Sequence, residues 1–170
     1  YEFIEAARQI KSRHPHIKFK LLGPNFDAQD GDAVGALELE AWQEEGILEY
    51  LGVTEDVRPH IASAHCVVLP SYREGVPRSV IEAASMARPV IVTDVAGCRA
   101  AIENNVTGYL CRPRDVDDLA EKLEKFMVLP YSEKSRMGKA GRAMMEAIFD
   151  EANVIKAYRS AIAAVCIDPR

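Results

Sequence analysis

Leu69-Pro-Ser-Tyr-Arg-Glu-Gly-Val-Pro-Arg-Ser-Val-Ile-Glu-Ala83 is the stretch on which the fold turns. An apolar strand, Cys66 to Leu69, runs into it, and a helix from Val76 to Ala87 leaves it, with Pro77 suited to the first turn. Parallel α/β sheets place their ligands at such junctions, outside the carboxyl ends of the strands. The backbone N–H groups at a helix start lack intrahelical partners and suit phosphate. Glu74 and Glu82 stand eight positions apart on either side of that start. Carboxylates accept short, charge-assisted bonds from hydroxyls. Phosphate donors between two hydroxyl acceptors point to a nucleotide-sugar as ligand.

Outward from this junction the pattern repeats. Upstream, apolar residues at positions 3, 4, 6, 7 and 10 make a helical face over Tyr1–Arg13. Ile17–Leu22 reads as a strand ended by Gly23-Pro24, and Asn25–Asp32 as a polar loop. A helix over Ala36–Glu45, a strand over Ile47–Leu51 and a short helix over Val57–Ala64 complete the first half. Downstream come a buried strand, Pro89–Thr93, a short helix over Gly97–Glu103 and a strand over Gly108–Cys111. Three helices close the chain, with Asp115, Ser132 and Asp150 as predicted caps, ending near Val128, Phe149 and Val165. Alternating helices and short apolar strands imply a Rossmann-like parallel sheet covered on both faces. The chain opens on a helix. In a doubly wound sheet of order 3-2-1-4-5-6 the first strand is central, so the expectation is a gap in the sheet and a fragment of a longer protein.

At 170 residues, 48% apolar and 28% charged, the chain has the make-up of one ordinary globular domain. A net charge of −5 argues against broad binding to nucleic acid. The charge is uneven: from Pro70 to Arg114 six arginines face four acids, a local +2 suited to a small anion. Cys66, Cys98, Cys111 and Cys166 show no CxxC spacing, with Cys66 expected in a buried strand and Cys166 on an apolar helix face. A reducing cytoplasm fits them best, and no secretory signal or membrane-length apolar run appears. Peripheral contact at the cytoplasmic membrane face through other parts of the protein stays compatible with this.

The motifs together resemble the C-terminal, donor-binding half of a retaining GT-B glycosyltransferase of family 4. The matching text is Phe-Ile-Glu-Ala-Ala-Arg at 3–8, Glu-Tyr-Leu-Gly at 49–52, Ala-His-Cys-Val-Val-Leu-Pro-Ser at 64–71 and Glu-Gly-Val-Pro-Arg-Ser-Val-Ile-Glu-Ala at 74–83. It continues through Arg-Pro-Val-Ile-Val-Thr-Asp at 88–94, Gly-Cys-Arg at 97–99 and Asn-Val-Thr-Gly-Tyr-Leu at 105–110. Coverage runs over roughly residues 1–150, and the last helix corresponds to the one that crosses back to the N-terminal half. Tyr-Arg-Glu-Gly-x-Pro-Arg and Thr-Asp-x-x-Gly-Cys-Arg look most like bacterial enzymes that build polysaccharide or glycan repeat units on a lipid carrier.

The resemblance assigns roles. It implies that Glu74 faces the hydroxyls of the donor sugar, as the residue nearest the chemistry, and that Glu82 binds the ribose. The backbone N–H groups of Gly75, Val76, Arg78 and Ser79 are then aimed at the diphosphate. Gly52, Val53 and Thr54 lie where the family holds the base by backbone contacts. Arg73, Arg78 and Arg99 are further candidates for anionic charge, while turn and cap roles suffice for Thr93 and Asp94. The implied donor is a nucleotide-diphosphate sugar, with UDP-sugars foremost and GDP-sugars open, and the acceptor a glycan or lipid-linked glycan bound by an N-terminal domain. No metal is expected. Asp30-Gly31-Asp32 and Asp115-Val116-Asp117 read as turn and cap chemistry, and His14, His16, His60 and His65 form no ligand spacing. Family relatives also grip the diphosphate with an Arg and a Lys on a segment that precedes the opening helix, so the isolated chain is expected to bind nucleotide weakly and to transfer nothing. A non-catalytic α/β nucleotide-binding module is the rival from another class. A nucleotide-sugar epimerase half would need catalytic acids that the sequence does not reveal.

Overall fold

The computed structural model describes residues 1–24 and 35–166. The elements are α1 (Glu2–Arg13), β1 (Lys20–Leu21), α2 (Ala36–Glu44), β2 (Glu49–Tyr50), α3 (Arg58–Ser63), β3 (Val67–Leu69), α4 (Arg78–Ser85), β4 (Val90–Thr93), α5 (Ala96–Arg99), β5 (Gly108–Cys111), α6 (Val116–Met127), α7 (Tyr131–Ile148) and α8 (Glu151–Cys166). The expected order of helices and strands is present, and every pairing between strands is parallel. The Asn25–Asp32 loop expected from sequence, with Asp30-Gly31-Asp32, lies outside the described residues.

The strands form two ladders, β1-β2 and β3-β4-β5, rather than one continuous sheet. Among the described residues β1 pairs only with β2, and β3 only with β4, so each keeps an open edge. That is the gap expected where a central strand is missing from a doubly wound order. The strands are also shorter than their apolar runs: β1 covers two residues of the six in Ile17–Leu22. A ladder needs partners, and a strand paired on one side only stops where its partner stops.

The two ladders nevertheless share one core. Ile4, Ala6, Ala7 and Ile10 of α1 pack with Phe19 and Leu48 beside the first ladder, with Ile91, Tyr109 and Cys111 of the second, and with Leu119, Ala120, Leu123 and Phe126 of α6. Side chains alternate across a strand, so β4 serves both faces. Ile91 enters this first core, whereas Val90 and Val92 enter a second with Ile61 of α3, Val80 and Ala83 of α4, and Cys98 of α5. All four β4 side chains are buried, which is why Pro-Val-Ile-Val-Thr reads as a continuous apolar run.

Caps follow the sequence at two of three places. Asp115 accepts the backbone N–H of Asp118 at 2.8 Å, and Asp150 that of Ala152 at 2.7 Å. Ser132 does not cap α7. The helix begins one residue earlier, after an extended Pro130 (ψ 155°), so Ser132 lies inside its first turn. Cys66 likewise lies just before β3 and is partly exposed, against the expectation of a buried strand residue. Cys66, Cys98 and Cys111 are free thiols.

One buried charge ties α6 to the sheet. Asp118 is 8% exposed. It accepts the backbone N–H of Arg112 at 2.6 Å and faces the Lys122 ammonium at 3.1 Å. Burial alone would raise its carboxyl pKa; the Arg112 N–H, the Lys122 ammonium and the Arg112 guanidinium outweigh it and hold the pKa below the ordinary value. The stabilisation is therefore present above the unfolded carboxylate pKa and lost as pH falls through the folded one. Asp118→Ala is expected to cost about 3 kcal/mol near neutral pH, because it strands an amide and an ammonium. Urea denaturation at pH 7 and pH 3 checks this: the difference between variant and wild type should shrink at the lower pH.

Candidate donor-binding site

The loops that follow β1 to β5 all leave from the carboxyl edge of the parallel strands. After β3 the chain runs Pro70-Ser-Tyr-Arg-Glu-Gly-Val-Pro77 without regular structure and enters α4 at Arg78. The helix starts two residues later than the apolar pattern predicts. A residue before proline is disfavoured in helical conformation, which excludes Val76, and Pro77 is itself extended (φ −74°, ψ 125°). Gly75 and Val76 therefore belong to the approach loop and not to the helix start. Arg78 and Ser79 are the first helical residues, no side chain caps the helix, and the Val80 and Ile81 N–H groups turn back to the Pro77 carbonyl at 3.1 and 3.2 Å. The N–H groups that the helix geometry leaves open at this start are those of Arg78 and Ser79.

Several contacts hold the loop that carries Glu74. The buried Thr93 hydroxyl, at the end of β4, donates to the Ser71 carbonyl. The Tyr72 phenol donates to the Glu2 carboxylate of α1, 2.7 Å from each oxygen. Gly97 of α5 lies so close beneath that a Cβ there would stand 1.8 Å from the Gly75 carbonyl oxygen and 2.3 Å from that of Glu74. Glu74 itself is half-buried. Burial and the nearby Glu74 carboxylate push the Cys98 thiol up, against a hydrogen bond with Thr93, so Cys98 is packing beneath the loop and not a nucleophile.

Glu82 departs from its expected surroundings. The neighbours Val80-Ile81 and Ala83-Ala84 suggest a buried helix, yet the Glu82 side chain is 39% exposed and lies 3.7 Å from the Arg78 guanidinium one turn earlier. Val80, Ala83 and Ala84 make the buried stripe, and Glu82 points off it. The fold leaves the carboxylate in contact with water, and its partner is a weak, solvated one.

The cations are mostly committed. Arg99 folds back to Asp94 at 2.7 Å, Arg112 pairs with Asp115 at 3.1 Å, and Arg88 donates to the carbonyls of Ile61 and Ala62. Arg99, a sequence candidate for ligand charge, is thus paired with its neighbour, both side chains about half exposed. Arg73 makes no hydrogen bond or ion pair among the described residues and is exposed beside Glu74. At the end of β2, Gly52 adopts a left-handed φ of 70° and its carbonyl accepts the Gly23 N–H at 3.0 Å. Val53 behind it is 71% exposed, so this turn presents backbone and one apolar side chain to solvent. In the second Asp-x-Asp string Asp115 caps α6 and Asp117 accepts from Gln9 at 2.9 Å. Among the described residues no group of three or more His, Cys, Asp and Glu side chains stands together as a metal site, and no helix is long and apolar enough to cross a membrane.

The sequence model of the family described as glycosyl transferases group 1 matches residues 1–128. The chain belongs to that family. Among curated relatives of this glycosyltransferase chain, the Campylobacter jejuni N,N'-diacetylbacillosaminyl-diphospho-undecaprenol alpha-1,3-N-acetylgalactosaminyltransferase is 31% identical over 154 residues, covering 91% of this chain and 38% of the relative. The crystal structure of Anabaena HepE in complex with UDP superposes with a TM-score of 0.83 at 20% identity, over 96% of this chain and 44% of that one. The C-terminal domain of a group 1 glycosyltransferase (LpcC) from Francisella tularensis superposes with a TM-score of 0.74 at 20% identity, over 88% of this chain and 78% of that one. These likenesses give the fold, the Rossmann-like C-terminal half of a GT-B glycosyltransferase. The chain spans less than half the length of the curated relatives it matches.

Proposed function

We propose that this chain is the donor-binding half of a retaining glycosyltransferase that transfers a sugar from a UDP-sugar to a glycan or lipid-linked acceptor held by an N-terminal domain. The observation that carries this is the pair of solvent-accessible carboxylates, Glu74 and Glu82, on either side of the uncapped start of α4. Glu74 orients the sugar through its hydroxyls, and Glu82 the ribose. The Arg78 and Ser79 N–H groups take charge developing on the leaving diphosphate, with Arg73 the nearest uncommitted cation in sequence. Donors fixed before the bond breaks stabilise that charge without reorganising, so this chemistry requires no metal. The exposed Gly52–Val53 backbone turn takes the base. Relatives named for transfer to diphospho-undecaprenol glycans support the acceptor class, and the UDP complex of HepE supports the nucleotide. A cytoplasmic setting, with peripheral membrane contact by other parts of the full-length protein, suits such an acceptor.

The test is calorimetric titration of the full-length protein with a panel of UDP- and GDP-sugars. UDP-sugars are expected to bind. Glu82→Ala removes charge-assisted hydroxyl bonds of about 2 kcal/mol, roughly thirtyfold in Kd. Absence of binding by any nucleotide-sugar, or an unchanged Kd in the variant, rejects the site.

A further inference from the structure

Arg114 is a non-glycine residue held at a left-handed φ of 59°, in the loop between β5 and α6. An L side chain rarely occupies that conformation, and residues kept there collect at functional sites. Its backbone makes the turn that glycine would make without strain, so the side chain is the part glycine would lack. The guanidinium carbon stands 4.7 Å from the centroid of the Tyr72 ring, within cation–π range. The Tyr72 phenol reaches the Glu2 carboxylate at 2.7 Å, and the Arg114 charge also helps to keep that carboxylate ionised. The Glu2 side chain is only 16% exposed. Three segments distant in sequence, α1, the β3–α4 loop and the β5–α6 loop, thus meet on one tyrosine two residues before Glu74.

We infer that Arg114 positions Glu74, by holding Tyr72 against Glu2 and so fixing the loop that presents the carboxylate. This rests on the reading of Glu74 as the donor-sugar ligand. Arg114 touches no ligand in this scheme; it is a positioning residue. The clamp acts on the sugar end of the site, whereas Glu82 and the start of α4 lie beyond Pro77 and do not depend on it. The strain is local to Arg114, so its removal and the loss of the guanidinium have opposite effects on stability and a single effect on Glu74.

The experiment uses the full-length protein and compares Arg114→Gly, Arg114→Lys and Tyr72→Phe in UDP-sugar transfer, UDP affinity and Tm. Arg114→Gly is expected to lower kcat about tenfold through a loosened carboxylate, with UDP affinity unchanged and Tm not lowered. Arg114→Lys keeps a cation over the ring and is expected to recover part of the rate. Tyr72→Phe keeps the ring and loses the Glu2 bond, and is expected to fall between. An unchanged kcat in Arg114→Gly overturns the inference, and so does a loss of UDP affinity or of Tm in step with kcat. Glu74→Ala and Glu82→Ala in the same protein separate the two readings. If neither affects transfer or binding, the site itself is wrong; if both do and Arg114→Gly does not, only the clamp is.

Discussion

Glu74→Ala in the full-length protein is expected to lower kcat for sugar transfer by roughly 10²–10³-fold while leaving affinity for UDP alone nearly unchanged. The split follows from where the residue sits. Glu74 is in the loop before Pro77, and the groups assigned to the nucleotide, Arg78, Ser79 and Glu82, are in α4 behind it. A carboxylate bonded to vicinal hydroxyls fixes the ring and with it the anomeric carbon, so its loss leaves a bound donor whose reacting bond wanders. Glu74→Gln keeps one acceptor oxygen and should retain more activity than alanine. The measurement is steady-state transfer with a UDP-sugar, set beside UDP titration of the same variants. A rate within the scatter of wild type, or a fall in UDP affinity as large as the fall in kcat, would contradict the assignment.

The order of helices and parallel strands is legible in the sequence, and the places where the sequence and the structure part have physical causes. Helical periodicity locates α1, and the caps Asp115 and Asp150 locate α6 and α8, to within a residue or two, because apolar spacing and cap chemistry are local signals that survive without knowledge of partners. Strands are shorter than their apolar runs, since a run such as Ile17–Leu22 records burial, while a ladder records pairing. The apolar neighbours of Glu82 in sequence do not give its environment, because the helix sorts residues by angle: Val80, Ala83 and Ala84 turn inward, and Glu82 joins Arg78 on the solvent side. Arg99 is a candidate for the ligand in sequence because nothing there shows that α5 is short enough to bring it onto Asp94. The Glu2–Tyr72–Arg114 contact left no local signal at all. Its members are separated by some 70 and 42 positions, and only the tertiary fold brings them together.

Gly97→Ala is the second substitution with a large expected effect, and it probes the loop from below. Gly97 lies inside α5, and the added methyl would improve helix propensity. Any loss must come from contact. A Cβ at 1.8 Å from the Gly75 carbonyl oxygen and 2.3 Å from that of Glu74 meets backbone, which cannot swing aside as a side-chain tip does. The loop or α5 has to move by about 1 Å or more, a displacement sufficient to cost on the order of a hundredfold in kcat when it misplaces a ligand carboxylate. Overpacking of this kind is also expected to lower stability by about 2 kcal/mol. Stability loss alone does not distinguish a site role, so the deciding comparison is between variants matched in stability. Leu123→Ala, destabilised by a cavity in the core shared by α1 and α6, should keep its kcat wherever it is folded, and Gly97→Ala should not. Wild-type turnover by folded Gly97→Ala would mean that the loop tolerates the shift, and that the close approach of Gly97 serves packing instead of the placement of Glu74.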